Sequence, residues 1–203
     1  AILNQCYSVR ALEVVSAVNI SSTICNVFNV CFIAMGNTVG ILVGQALGAG
    51  KSEEEVRDLD RKLIVFSELF CLIFGLALAA VSGFFPQIYD ASQSIRDLAT
   101  TFILIAALMM PFHAYTNAAY FTLRSGGKSL ITFIFDSGYV WCCMIPVAFA
   151  LSRFTDMPIL PLYALVQSLD LLKCILGAHM LKKGSWIQNL TAKKQYPGSD
   201  EPG

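Results

Sequence analysis

The feature that most constrains this chain is a run of 37 residues, Val14 to Gly50, without a single charged side chain. As one helix it would be about 55 Å long, against a hydrocarbon thickness of about 30 Å. A helix in a water-soluble domain needs a polar face, and this run has no charge to build one. It therefore predicts a membrane span that either breaks or projects from the bilayer. Gly36, Gly40, Gly44 and Gly48 fall four apart on one helical face, a spacing that lets another backbone approach closely in lipid. The span is placed at 14–36, with a close-packed, partly extramembrane extension through Leu47.

Four further apolar blocks follow: 63–85, broken by Glu68; 98–120; 130–152, carrying Asp136; and 159–181, carrying Asp170 and Lys173. Each has about the 20 residues needed to cross. The connections at Pro86–Ser94, Ser125–Ser129 and Thr155–Pro158 are short and contain turn residues. The expected fold class is an all-α, polytopic transmembrane bundle of about five helices. Composition agrees, with 56% hydrophobic and 14% charged residues, where a soluble domain carries about 25% charged. Formal net charge is zero and the charges lie between the blocks, so the lipid bilayer is the expected partner and nucleic acid is not.

Five spans put the two ends on opposite sides, and the Lys/Arg balance chooses between them. One side would carry Lys51, Arg57, Arg61, Lys62, Arg124, Lys128, Lys182, Lys183, Lys193 and Lys194, the other Arg10, Arg96 and Arg153, a ratio of ten to three. The expected location is a prokaryotic cytoplasmic membrane, with the C-terminus cytoplasmic. Ser52–Lys62 reads as a solvated helix start, acidic first and basic later, as the macrodipole favours. Residues 192–203 read as a disordered cytoplasmic tail. The glycosylation patterns at Asn19 and Asn189 are discounted, because one lies in a span and the other on the cytoplasmic side. The chain opens at Ala1 without an initiator Met or signal pattern, and is expected to be a fragment.

The seven cysteines, Cys6, Cys25, Cys31, Cys71, Cys142, Cys143 and Cys174, show no metal-ligand spacing. They are expected to be small buried hydrophobes. No metal or cofactor is expected.

An ionisable group deep in the bilayer costs several kcal/mol unless paired or hydrated, so each one is a functional candidate. Counting about 1.5 Å per residue from the nearest basic residue at the cytoplasmic side puts His113 about 16 Å deep, Asp170 about 18 Å, Asp136 about 12 Å and Glu68 about 9 Å. Glu68 reaches the interface. Asp170 and Lys173 are three apart on one helix face and either neutralise each other or line a pathway. Asp136 is either a satisfied packing carboxylate or a proton carrier. In the third span Pro111 leaves the carbonyl of Ala107 without its usual donor and predicts a kink. His113, Thr116, Asn117 and Tyr120 follow on one face, and a broken helix with a polar face at mid-depth is the pattern of a transporter site. The candidate ion-coupling residues are His113 and Asp136. The candidate substrate-cavity residues are Thr116, Asn117, Tyr120, Tyr139, Asp170 and Lys173, with Pro111 and the four glycines as kink or packing positions.

The run Val43-Gly-Gln-Ala-Leu-Gly-Ala-Gly-Lys51 after the first span, and Leu123-Arg-Ser-Gly-Gly-Lys-Ser129 after the third, resemble the multidrug and toxic compound extrusion (MATE) transporters. The opening Leu3-Asn-Gln-Cys-Tyr-Ser8, with Leu12-Glu-Val-Val15, resembles the end of that family's seventh helix and the start of its eighth. The likeness runs from about residue 1 to 191. It implies a twelve-helix antiporter of two lobes that exports small organic cations against H⁺ or Na⁺. Residues 1–191 would be the C-terminal lobe, helices eight to twelve, and the N-terminal lobe would be absent. It also implies an acidic cation-site residue ten positions before Leu123, where this chain has His113. Na⁺ prefers oxygen ligands, so the substitution points to H⁺ as the coupling ion.

Two other transport or membrane readings compete. A lipid-linked precursor flippase of the same superfamily would need a basic central cavity, and a non-transporting structural subunit would have no need of Pro111 and His113 at mid-depth. No enzyme is expected, since the chain lacks HExxH and any Ser/His pair at usable spacing.

Overall fold

The computed structural model describes residues 12–127, 129–155, 157–184 and 186–187. The Leu3–Ser8 motif, Cys6, Arg10, Asn189 and the 192–203 tail lie outside them. Five helices are long and apolar enough to cross a membrane: α1, Leu12–Gly48; α2, Glu53–Val81; α3, Gln93–Ser125; α4, Leu130–Phe154; and α5, Ile159–Lys183. The described residues contain no strand.

The charge-free run does not break. α1 is a single helix of 37 residues, so at about 1.5 Å per residue it projects well beyond the hydrocarbon instead. The expected kink position is also continuous, with α3 running through Pro111 from Gln93 to Ser125. α2 starts earlier and stops earlier than its apolar block. Ser52 caps it, its hydroxyl accepting from Glu55 N–H at 3.3 Å and its own N–H donating to the Glu55 carboxylate at 3.1 Å. This capping box satisfies donors that the first turn leaves unpaired. After Val81 the chain turns into a short 3₁₀ segment, Phe85–Ile88, that begins on Pro86.

α4 is irregular in a way that its residue pattern does not predict. Between α-helical Ser129–Phe133 and Ile145–Phe154 it carries two π-helical turns, Ile134–Gly138 and Val140–Met144. They bracket Tyr139 and contain Asp136.

α3 is the hub, packed against α1, α2 and α5, while α4 leans on α5. The helices alternate in direction, so α1, α3 and α5 run parallel. Among lipid tails there is no hydrophobic drive for helices to associate, so close packing and hydrogen bonds hold the bundle. The glycine face of α1 meets α3. A Cβ on Gly36 would lie 2.7 Å from the Phe121 ring, and one on Gly40 only 3.2 Å from the Phe121 carbonyl oxygen. Gly44 faces Ser125 at 3.7 Å, and Gly48 looks into open space, so the stripe packs through three of its four positions.

Three apolar clusters stack along the bundle. One joins the starts of α1, α3 and α5 to the end of α4 through Ala17, Phe102, Leu162 and Ala148. A middle one holds Phe32, Cys71, Ile103 and Met110. The third, at the opposite end, gathers Val43, Leu47, Val56, Leu123, Phe135 and Trp186. Outward faces are apolar as well, with Val27, Val30, Phe66, Ile73, Trp141 and Ile175 exposed, as lipid solvent allows and water does not. This is an integral membrane protein. Cys142 and Cys143 are exposed on this outer surface rather than buried, whereas Cys71 is buried; a thiol is apolar enough for either setting.

The end of α5 is fastened to α2. Arg57 Nη1 donates to the Lys182 carbonyl at 3.1 Å, and Trp186 Nε1 donates to the Leu181 carbonyl at 3.2 Å, two acceptors that a helix end leaves open. Gly184, at φ +66°, ends the helix in the left-handed conformation, where only a hydrogen fits beneath the Arg57 guanidinium. Asp60 corrects the solvated reading of Ser52–Lys62: it is buried and accepts a 2.6 Å hydrogen bond from Thr122 on α3.

Candidate functional site

α3 and α5 run side by side, and at mid-height His113 meets Asp170, with Nδ1 3.3 Å from Oδ2. Asp170 is buried, and the imidazole stacks nearly parallel on Phe32 of α1, ring centres 6.1 Å apart. The partner expected for Asp170 is taken elsewhere. Lys173, one turn further along α5, points to α4 and donates to Asp136 at 2.7 Å, its ammonium 5.3 Å from the Phe135 ring. Tyr139 strengthens the same seam by donating to the Leu169 carbonyl at 2.6 Å.

The four groups form an ordered sequence across three helices: His113, Asp170, Lys173, Asp136. With a neutral imidazole the set carries one net negative charge, and with an imidazolium it carries none. One proton balances the cluster, and a low-dielectric setting makes that balance matter.

His113 also forms part of the wall of a cavity of about 230 Å³ between α1, α3 and α5. Its other polar lining comes from Ser21, Ser22, Cys25, Asn26 and Asn29 of α1 and from Tyr163 and Gln167 of α5, closed by Phe32, Leu78 and Met110. The amides are held loosely, Asn29 to Asn26 at 3.5 Å and Gln167 to Tyr163 at 3.4 Å, which leaves hydrogen-bonding capacity facing the space. No Lys or Arg is among the residues that line it.

The expected cavity residues are placed differently. Thr116, Asn117, Tyr120, Tyr139, Asp170 and Lys173 do not line this cavity, and neither does Asp136. Thr116 and Asn117 both donate to the His113 carbonyl, at 3.0 and 3.3 Å, which ties each of them back to its own helix. Tyr120 packs edge-on against Phe121 within the third cluster. Pro111 lies on the other side of α3, beside Glu68, Tyr115 and Cys174. The missed lining residues had a signal: Val18, Ser21, Ser22, Cys25, Asn26, Asn29 and Phe32 recur at steps of one or three residues along one side of α1. It was hidden because none of them is charged.

The model of the family described as MatE matches residues 8–150. This chain belongs to the MatE family. The match covers α1 to α3 and most of α4, and stops short of α5, so the resemblance read from the motifs extends further than the family model. No curated protein and no solved structure matches the chain. MatE proteins are membrane transporters, and five apolar helices with a polar cavity that reaches mid-height at His113 suit such a protein. In this MatE chain the polar cavity and the charged cluster share one residue, His113.

Proposed function

We propose that these residues form one lobe of a secondary antiporter that exports small organic cations across a prokaryotic cytoplasmic membrane in exchange for H⁺. The observation that carries the reading is His113, which joins a hydrated-size polar cavity to a charge cluster one proton short of balance. An imidazole is the side chain whose charge changes near physiological pH. Gaining a proton would neutralise the cluster and losing it would leave a buried carboxylate in excess, so two states of the lobe would bind the proton differently. H⁺ is preferred to Na⁺ because the nearest carboxylate, Asp170, faces His113 and does not line the cavity, so the oxygens of its wall include no charged ligand for a cation.

The cavity's 230 Å³ falls below the range of about 300–1,000 Å³ typical of drug-sized ligands. The cargo chamber would therefore be completed by an N-terminal lobe facing this one. The ten-to-three Lys/Arg imbalance supports a cytoplasmic position for the Lys182 end. The cavity's lack of lining Lys and Arg favours cationic cargo over the anionic cargo of a precursor flippase.

The test is a transporter containing these residues, reconstituted in liposomes with an imposed pH gradient. His113→Gln keeps hydrogen bonding and removes titration, so cargo binding should persist while proton-driven efflux falls sharply and what remains loses its pH dependence. Normal efflux with an unchanged pH profile would move coupling away from His113.

A further inference from the structure

α2 and α5 both pack on α3 and leave a cleft between them. Its wider part, about 570 Å³, lies at the basic end of the bundle. A second part of about 430 Å³ continues it toward mid-membrane, sharing Glu68, Tyr115 and Ala178 as wall residues. The rim is basic: Arg57, Arg61 and Lys182 border it and all three are exposed. Arg61 and Lys182 have no carboxylate within salt-bridge distance among the described residues. Trp186 borders the cleft at the same level, its indole buried with Nε1 donating to the Leu181 carbonyl. Further in, the walls turn apolar, with Ile64, Val65, Ala178, Ile175 and Phe112.

We infer that this cleft is a binding site for an acidic phospholipid, with the phosphate held by Arg57, Arg61 and Lys182 and one acyl chain lying between α2 and α5. Charge complementarity selects the headgroup. Of the carboxylates that line the cleft, Asp60 is turned to α3 and accepts from Thr122. Glu68 lies seven residues beyond Arg61, about 10 Å deeper along the helix, below the headgroup level. Arg57 is already positioned by its bond to the Lys182 carbonyl, so it reaches a phosphate without further ordering. From Lys182 to Ile175 the cleft follows α5 for about 10 Å, a depth suited to an acyl chain and unsuited to a soluble anion. Acidic lipids are enriched in the cytoplasmic leaflet, which the proposed orientation places at this rim. The inference does not depend on proton coupling at His113.

The chain has two tryptophans, which makes the site addressable by fluorescence. Trp141 is lipid-exposed on α4, and Trp141→Phe leaves Trp186 as the sole emitter. The 203-residue chain carrying this change is reconstituted in vesicles with phosphatidylglycerol or phosphatidylcholine bearing brominated acyl chains. Brominated phosphatidylglycerol should quench Trp186 at lower mole fraction than brominated phosphatidylcholine. Each basic residue near the surface adds about 1 kcal/mol for acidic lipid, roughly fivefold in affinity. Arg61→Gln with Lys182→Gln should therefore lower the preference by on the order of 25-fold, while Arg61→Lys with Lys182→Arg keeps it. In the chain without rim substitutions, added salt should weaken the preference, a readout that does not depend on how the variants fold. Equal quenching by the two lipids, quenching by neither, or a preference that survives the double Gln change would overturn the proposal. So would relief of quenching by free inorganic phosphate, which would assign the rim to a soluble anion.

Discussion

Lys173 of α5 and Asp136 of α4 are 2.7 Å apart, so the lysine serves the neighbouring helix and leaves Asp170, one turn away on its own helix, to His113. Lys173 is largely buried while Asp136 is about half exposed, and removing the cation would leave a carboxylate within a span without its counter-charge. Lys173→Met should lower stability by about 1–3 kcal/mol, less than for a fully buried pair. Lys173→Met with Asp136→Asn should recover much of that loss. Thermal unfolding in detergent measures both, and a double variant as unstable as the single would show that the pair contributes little.

His113 and Asp170 should behave as one unit. Asp170→Asn is expected to abolish the pH dependence of efflux as His113→Gln does, and the double variant should be no worse than either single change. Additive losses in a double-mutant cycle would mean that the two residues act in separate steps.

The glycine stripe of α1 should be graded by what each position faces. Gly40→Ala pushes a methyl against the Phe121 backbone and should cost about 1–3 kcal/mol by forcing α1 and α3 apart. Gly48→Ala meets open space and should be neutral, or stabilising by up to about 1 kcal/mol through helix propensity. Equal shifts in melting temperature for the two changes would contradict this packing.

Thr122 supplies the hydrogen bond shown for buried Asp60. Thr122→Val should destabilise by about 1–3 kcal/mol because the carboxylate loses its donor, whereas Thr122→Ser keeps the hydroxyl and should stay close to the parent. If Val and Ser substitutions melt alike, the hydroxyl is not what holds α2 to α3.

Orientation is open to direct measurement. Cysteines placed at Ser52 and Ser94, at opposite ends of the bundle, should react with a membrane-impermeant thiol reagent from opposite sides, Ser94 from outside the cell. Labelling of both from the same side would refute the five-span arrangement.

Hydropathy and length were enough to place five spans, because the cost of an unpaired charge or backbone group in lipid is written directly into the one-dimensional pattern. The mid-depth positions of His113 and Asp170, and the motifs at Val43–Lys51 and Leu123–Ser129, were likewise legible residue by residue. What the linear pattern could not carry was helix rotation and neighbour choice. Asp170 and Lys173 share a turn, yet a small difference in azimuth sends one to α3 and the other to α4. Asp60, in a stretch that reads as solvated, turns inward because Thr122 of another helix offers it a donor. The polar stripe from Ser21 to Asn29 became a cavity wall when α1, α3 and α5 met around it. Spans follow from the energy of single segments in lipid, whereas partners follow from the packing of several helices at once, and that is decided in three dimensions.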